Sequence, residues 1–323
     1  TIESTDVKLF ITGGAGFIGS NLVDRLLAEG HAVEVIDNLS SGKLANLADA
    51  RSNREHDFSF HQMDICDPTV AELIERRRPE VVFHLAAQID VRVSVEDPAL
   101  DARINVLGAL NVFEGARRAG SRKVVFASSG GTIYGNVDPE DLPVTESHEQ
   151  RPVAPYGVSK KVATDYLNAF RELHQLEYTS LALANVYGPR QDPHGEAGVV
   201  AIFAGKLLAG EPCKVFGTGE QTRDYVYVDD VADAFVRAAD RGSGLLCNIG
   251  TGVETSVNEL VSRILGLMGR PDHPVIHTEE RPGDVRRHLA DVSQLESLLG
   301  HQSPRLTDDA LGQTVEWYTS VLS

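Results

Sequence analysis

The sequence predicts an α/β fold, a doubly wound parallel sheet followed by a smaller C-terminal lobe. Three observations predict it. In the first half, short continuously apolar runs alternate with helical patterns, and a glycine-rich turn joins the first run to the first helix. After Asn185 that rhythm gives way to shorter elements separated by Gly/Pro-rich connectors such as "YGPRQDPHGEAG", "GRPDHP" and "EERPGD".

The strand runs are "VKLFIT" (7–12), "AVEVID" (32–37), "FSFHQMD" (58–64), "EVVFHLA" (80–86), "KVVFAS" (123–128) and "TSLALAN" (179–185). Helical periodicity falls between them at 17–29, 69–77, 98–119 and 155–175. Strands apolar on both faces need helices on both faces, which is the parallel arrangement. In the second half, helical patterns cover 197–209, 229–239, 256–268 and 308–320, with brief strands near 214–216, 225–228 and 245–249. The expected division is residues 1–185 for a dinucleotide-binding domain and 186–323 mainly for a substrate lobe. In such folds ligands lie beyond the carboxyl ends of the strands, so a cleft between sheet tips and lobe is the expected site.

Composition narrows the function. The chain has 323 residues, 42% hydrophobic and 24% charged, enough to bury a large core. A formal charge of −17 gives no general attraction to nucleic acid or to an anionic membrane, so an anionic substrate requires a local basic pocket. The densest basic run, Arg76-Arg77-Arg78, follows a helical pattern and suits a helix C-terminus. Three scattered cysteines, Cys66, Cys213 and Cys247, fit a reducing compartment, and no apolar run approaches the roughly 18 residues of a membrane helix. A cytoplasmic location is expected. The eleven histidines show no metal-ligand spacing, His194 in its polar loop included, so no metal is expected.

"ITGGAGFIGSNLVDRLL" carries Gly13, Gly16 and Gly19 between the first strand and the first helix. The first two allow a tight turn and close approach to a pyrophosphate, and the third allows helix and strand to pack closely. Asp37, ending the second strand, is placed to accept hydrogen bonds from an adenosine ribose, which favours NAD over NADP. A Rossmann-type domain follows. Asp64 can serve as an adenine-side contact or as a strand-end cap.

Tyr156 and Lys160 in "PYGVSKKVATDYL" lie four apart at a helix start and project from one face. A phenol of pKa about 10 becomes a useful base when an ammonium and a second cation favour its phenolate.

These residues, with "DNLSSGK", "VVFHLAAQ", "ARINVLGALNV", "NVYGPRQ", "GTGEQTRDYVYVDD", "NIGTG" and "RPGD", resemble the extended short-chain dehydrogenase/reductase family over nearly the whole chain. Within it, the sequence looks most like nucleotide-sugar 4-epimerases of the UDP-glucose 4-epimerase kind. The resemblance implies tightly bound NAD, with Tyr156 taking the sugar 4-hydroxyl proton while C4 passes hydride to the nicotinamide and later receives it on the other face. Lys160 would hold the nicotinamide ribose and lower the Tyr156 pKa. Phe17, Ile18, Asn38, Ile65, Leu85, Ala86, Ala87, Asn105 and Ser128 would join the glycines, Asp37 and Asp64 around the cofactor.

The implied substrate is a nucleotide-diphosphate sugar, most simply a UDP-hexose. It would meet Asn185, Val199, Arg223, Arg281, Asp284 and His288, the two arginines gripping the diphosphate; the bland alternative for Arg223 is a salt bridge to Asp224 or Asp229. His288 stands where the family's sugar selectivity varies with side-chain size. The helices at 98–119 and 155–175 resemble those through which the family forms homodimers, although their apolar stripes suit packing within one chain as well.

"ASSGGTIYG" (127–135) departs from the family. The usual catalytic Ser or Thr position is Gly130. Continued strand parity puts Ser128 and Thr132 on one side and turns Ser129 away, so Thr132 is the expected catalytic hydroxyl; a bulge at the glycines would restore Ser129. Related 4,6-dehydratases carry an Asp-Glu pair here and related decarboxylases a Glu, whereas this chain has Gly131 and Thr132. Epimerisation needs neither carboxylate. A lyase of the same family and a non-catalytic dinucleotide-binding regulator are the alternatives.

Overall fold

A computed structural model describes residues 2, 7–55, 57–193, 198–280, 286–300 and 306–322. Its strands are β1 (Lys8–Thr12), β2 (Ala32–Asp37), β3 (Phe58–Gln62), β4 (Val81–His84), β5 (Lys123–Ser129), β6 (Glu177–Leu183), β7 (Asn185–Tyr187), β8 (Cys213–Phe216), β9 (Thr222–Tyr227), β10 (Leu245–Ile249), β11 (Glu254–Ser256) and β12 (Val275–Thr278). The α-helices are α1 (Phe17–Ala28), α2 (Ala48–Ser52), α3 (Thr69–Arg77), α4 (Val91–Glu96), α5 (Pro98–Ala102), α6 (Ala109–Ala119), α7 (Gly130–Ile133), α8 (Pro155–His174), α9 (Val199–Leu208), α10 (Val228–Ala238), α11 (Val257–Leu267), α12 (Ser293–Leu299) and α13 (Asp308–Leu322).

Seven strands form the central sheet in the order β10-β6-β5-β4-β1-β2-β3, paired in parallel throughout. The chain winds outward from β1 to one edge, then returns past β1 to the other, so helices cover both faces. Leu9, Ile11, Val33 and Phe83 pack on one side against Leu22, Val23 and Leu26 of α1 and Val231 and Phe235 of α10. Phe10, Val82, Val124 and Phe126 pack on the other against Val112 and Phe113 of α6 and Ala163 and Leu167 of α8. Each buried side chain of this kind contributes roughly 1.5–3 kcal/mol relative to an exposed one. Arg76 and Arg77 occupy the last turn of α3, as the run suggested, and Arg78 caps it in the left-handed conformation.

Two expectations change. The strand at 245–249, expected in the second lobe, is the edge strand of the main sheet, where Leu245–Ile249 pair with Thr179–Leu183. A parallel edge at β6 needs a further strand, and the chain supplies it after α10 crosses over to pack on α1. The helix expected over 98–119 is interrupted by a π-helical segment, Arg103–Gly108, between α5 and α6. The interruption turns Asn105 inward, where its amide accepts from Gln88 N–H and donates to the Gln88 carbonyl. The second lobe contains the small sheets β11-β9-β7 and β12-β8 with its own core, including Tyr187, Phe203, Val215, Leu260, Ile264 and Leu311.

Asn248 fastens the two parts. It is fully buried on β10; its Oδ1 accepts from Tyr134 Oη (2.7 Å), and its Nδ2 donates to the carbonyls of Val144 (3.0 Å) and Asp291 (3.3 Å). Its backbone N–H donates to Glu146 Oε1 (2.8 Å). Asn248→Ala leaves the Tyr134 hydroxyl and the Asp291 carbonyl without this partner, while Val144 keeps its bond from Asp291 N–H, so unfolding free energy is expected to fall by about 3 kcal/mol, read from urea denaturation.

Candidate active site

The site is built at the C-terminal tips of β1, β2, β4, β5 and β6. After β1 the chain turns at Gly13, whose φ of +74° favours glycine; a Cβ there would lie 2.6 Å from Ala86 N. A Cβ on Gly19 would lie 2.2 Å from the Gly13 carbonyl oxygen, so the third glycine is what lets α1 start beside the turn. Gly16 is the N-cap of α1 with no capping side chain, and the first turn holds no acid. The positive helix end is thus left for an anion. Phe17 and Ile18 open that turn.

Asp37, buried at the tip of β2, accepts from the N–H groups of Ala15 (3.0 Å) and Leu39 (2.8 Å), tying the second strand to the glycine turn. Burial pushes its pKa up, and the two N–H donors oppose that shift. Asp64 accepts from Cys66 N–H (2.8 Å) and from Asn38 Nδ2 (2.9 Å), and the first contact holds its carboxyl below the usual range. It caps its turn and joins the cofactor-side loops at once. Ile65 packs where a Cβ on Gly108 would fall. Leu85, Ala86 and Ala87 follow β4, and Ala86 N–H donates to Thr12 Oγ1. That hydroxyl also shares a hydrogen bond with His84 Nδ1 at 2.7 Å. His84 is fully buried, and burial drives its pKa down to about 3.

Lys160 and Tyr156 project from the first turns of α8. The buried Lys160 ammonium donates to the Ala127 carbonyl (2.8 Å) in β5 and lies 4.9 Å from the Phe126 ring centre and 5.6 Å from that of Tyr156. Burial lowers its pKa to about 8, with Asp101 opposing. Burial raises the Tyr156 pKa, Asp101 adds to that rise, and a hydrogen bond with Ser129 works against it.

That interaction corresponds to the alternative in which a break at the glycines restores Ser129. Ser129 is the last residue of β5, and Gly130 immediately starts α7, so alternation has no further strand along which to run. At the open tip the Tyr156 phenol reaches Ser129. Ser128 Oγ and Thr132 Oγ1 are both buried without a hydrogen-bond partner. A Cβ at Gly130 would sit 3.1 Å from the Ala182 carbonyl oxygen, whereas one at Gly131 would meet nothing within 4 Å. Glycine at 130 fits a close approach to β6; glycine at 131 leaves room.

From the second lobe, His288 Nε2 donates to the Gly130 carbonyl (3.1 Å), bringing 288 against the strand tip. Burial lowers its pKa, and its Nδ1 is buried without a partner. Arg223 lies on β9, where its guanidinium donates to the Thr222 carbonyl (2.8 Å). The neighbouring Asp224 carboxylate is committed to Thr251 N–H and Oγ1 and to Gly252 N–H. Asn185 starts β7 and Val199 starts α9, both half-buried. Arg281, Asp284 and His194 lie outside the described residues.

The sequence reading missed Asp101. Its carboxylate, fully buried on α5, accepts from Ser159 Oγ (2.6 Å), Asn105 Nδ2 (2.9 Å) and Gln88 Nε2 (3.1 Å). No spacing rule flags a single Asp in a short helix.

A glycine turn at a bare helix end, an acid on the second strand and a hydroxyl-phenol-ammonium group at the sheet tips define a nucleotide-dependent oxidoreductive site. Residues 9–250 match the NAD dependent epimerase/dehydratase family, and the chain belongs to it. Its particular likeness is to UDP-glucose 4-epimerases. It is 50% identical over 313 residues to that enzyme of Mycolicibacterium smegmatis, spanning 97% of this chain and 98% of the relative. Among solved structures, UDP-glucose 4-epimerase of Thermotoga maritima with UDP-glucose has a TM-score of 0.91 at 43% identity, over 98% of this chain and 100% of that one. The Thermus thermophilus UDP-glucose 4-epimerase complex with NAD has a TM-score of 0.88 at 39% identity, over 97% and 99%.

Gly19→Ala drives a Cβ into the Gly13 carbonyl and is expected to weaken NAD binding at least about tenfold, since a displaced turn loses its N–H contacts to a pyrophosphate. Gly131→Ala enters open space and is expected to leave it unchanged. Calorimetric titration with NAD reads both.

Proposed function

We propose that the protein is an NAD-dependent UDP-glucose 4-epimerase, inverting C4 through a transient 4-keto sugar, with residues 1–185 mainly holding the dinucleotide and the later residues mainly the nucleotide sugar. The observation that carries this reading is the Ser129-Tyr156-Lys160 group at the tips of β5 and α8, beside positions 131 and 132 that offer no carboxylate. Tyr156 takes the proton of the sugar 4-hydroxyl and returns it. Lys160, fixed by the Ala127 carbonyl, presents the cation that makes a buried phenolate tolerable.

The residues fit the cofactor, as the excluded side chains at Gly13 and Gly19, the bare end of α1 and the unpartnered Ser128 hydroxyl are what a bound dinucleotide would use. Gly13, Gly16, Phe17 and Ile18 would hold its pyrophosphate, and Asp37 and the Asn38/Asp64 pair its adenosine side. When bound, NAD supplies the hydride acceptor and donor. Thr132 is proposed to polarise the sugar oxygen and Ser129 to orient the phenol. His288, with its Nε2 proton committed to Gly130, offers Nδ1 as an acceptor to the sugar. A 4,6-dehydratase or decarboxylase would need a carboxylate at 131 or 132, and the open space at Gly131 has none.

The same reading includes a homodimer. Val95, Leu107, Val158, Tyr166 and Leu173 are exposed on α4, the π-helical segment and α8, next to an apolar groove of about 350 Å³ lined by Pro98, Ala102, Val153, Ala154, Pro155 and Val158. Exposed apolar side chains on α8 and on the elements that pack against it suit a second copy of this chain. Among the described residues no helix is long and apolar enough to cross a membrane. With three unbridged cysteines, a cytoplasmic location is consistent.

Tyr156→Phe is expected to lower UDP-galactose to UDP-glucose conversion by about 10³-fold or more while NAD stays bound, and full activity in this variant would refute the assigned base. Thr132→Val is expected to reduce kcat by about 10²-fold with binding retained, consistent with loss of a transition-state hydrogen bond. Release of carbon dioxide, or a stable 4-keto product in place of the epimer, would favour the lyase reading. Paired Leu107→Glu and Val158→Glu substitutions are expected to halve the mass measured by light scattering.

A further inference from the structure

Two buried charges, Asp101 and Lys160, lie at the start of the helix that carries Tyr156. Both are buried, at 0% and 3% exposure, and among the described residues their hydrogen bonds go to uncharged partners. A buried charge costs several kcal/mol unless something compensates it. Every bond to the Asp101 carboxylate comes from an uncharged donor, one from the loop after β4, one from the π-helical segment and one from α8. An acceptor-only setting is that of a carboxylate anion.

The α8 donor is Ser159, directly before Lys160 and three residues after Tyr156. Asp101 therefore grips the same helical turns that carry the ammonium and the phenol. We propose that Asp101 is a positioning residue of this site, seating the start of α8 through Ser159 and compensating the buried Lys160 ammonium through space. The proposal rests on the assignment of Tyr156 and Lys160 as the reacting pair.

The charge has a second consequence. Its field favours the protonated form of both neighbours, keeping Lys160 an ammonium against burial and keeping Tyr156 a phenol until another cation stands beside it. The other groups facing the pair are accounted for. His84 on β4 stays neutral and Ser129 bonds the phenol, while Asp90, the N-cap of α4, pairs with Arg92 at 2.9 Å.

Asp101→Asn preserves shape, and its amide can donate to Ser159 Oγ while its oxygen accepts from Asn105 and Gln88. Only the charge is removed. In the holoenzyme, the acid and alkaline limbs of the pH profile of kcat for UDP-galactose conversion are expected to move down together by about half to one unit. Asp101→Thr, a second uncharged variant, is expected to do the same. Ser159→Ala keeps the charge, and is expected to lower Tm without moving the limbs.

Limbs unmoved in either folded Asp101 variant, or moved equally by Ser159→Ala, would overturn the proposal. A readout independent of turnover separates its failure from failure of the epimerase assignment. Ultraviolet titration of the holoenzyme follows the tyrosinate step that is missing in Tyr156→Phe. That step is expected at lower pH in Asp101→Asn, whatever the sugar, and an unshifted step would overturn the charge role.

Discussion

The bond from Lys160 to the Ala127 carbonyl is the constraint on which the rest of the site depends. It inserts a cation between α8 and β5, an interior strand of a parallel sheet, which cannot move without disturbing its neighbours on both sides. With the helix fixed there, Tyr156 one turn earlier falls over the tip of β5, and the phenol meets Ser129. The aromatic ring of Phe126 beneath the ammonium and the distant Asp101 share the cost of burying it. A surface lysine at the same spacing would have none of this support and would act as a solvated charge.

The glycine turn depends on the sheet in a complementary way. Gly13 comes against Ala86, Gly19 against Gly13, and Asp37 holds Ala15 and Leu39 by their N–H groups. Three strand ends are thus locked to one helix start by backbone contacts. The Thr12-His84 bond ties β1 to β4 a second time, with the imidazole kept neutral so that it does not set a second positive charge near Lys160.

Much of this was legible because it depends on local periodicity. A strand, three glycines and a helix start fix a turn within a few residues, and a spacing of four on a helix fixes a shared face whatever lies around it. The features that were not legible depend on partners distant in sequence. The run 245–249 reads as a strand, but nothing within it says that Thr179–Leu183 will be its neighbour. The π-helical segment looks apolar and helical in sequence, and the Gln88 partner that Asn105 meets there lies 17 residues away. Ser129 was legible only as the alternative to Thr132, because alternation describes the middle of a strand and this residue is its end. Asp101 escaped because its three donors come from positions 88, 105 and 159.

The return of β10 to the central sheet has a consequence for how such a protein changes over time. Because the chain must go out through α9, β8 and β9 and come back to complete the edge of β6, the second lobe is threaded into the first rather than appended to it. It cannot be exchanged as a cassette without baring that edge and unseating α10 from α1. The loops and short sheets between those points of departure and return are the part of the lobe that can change without touching the edge of the main sheet.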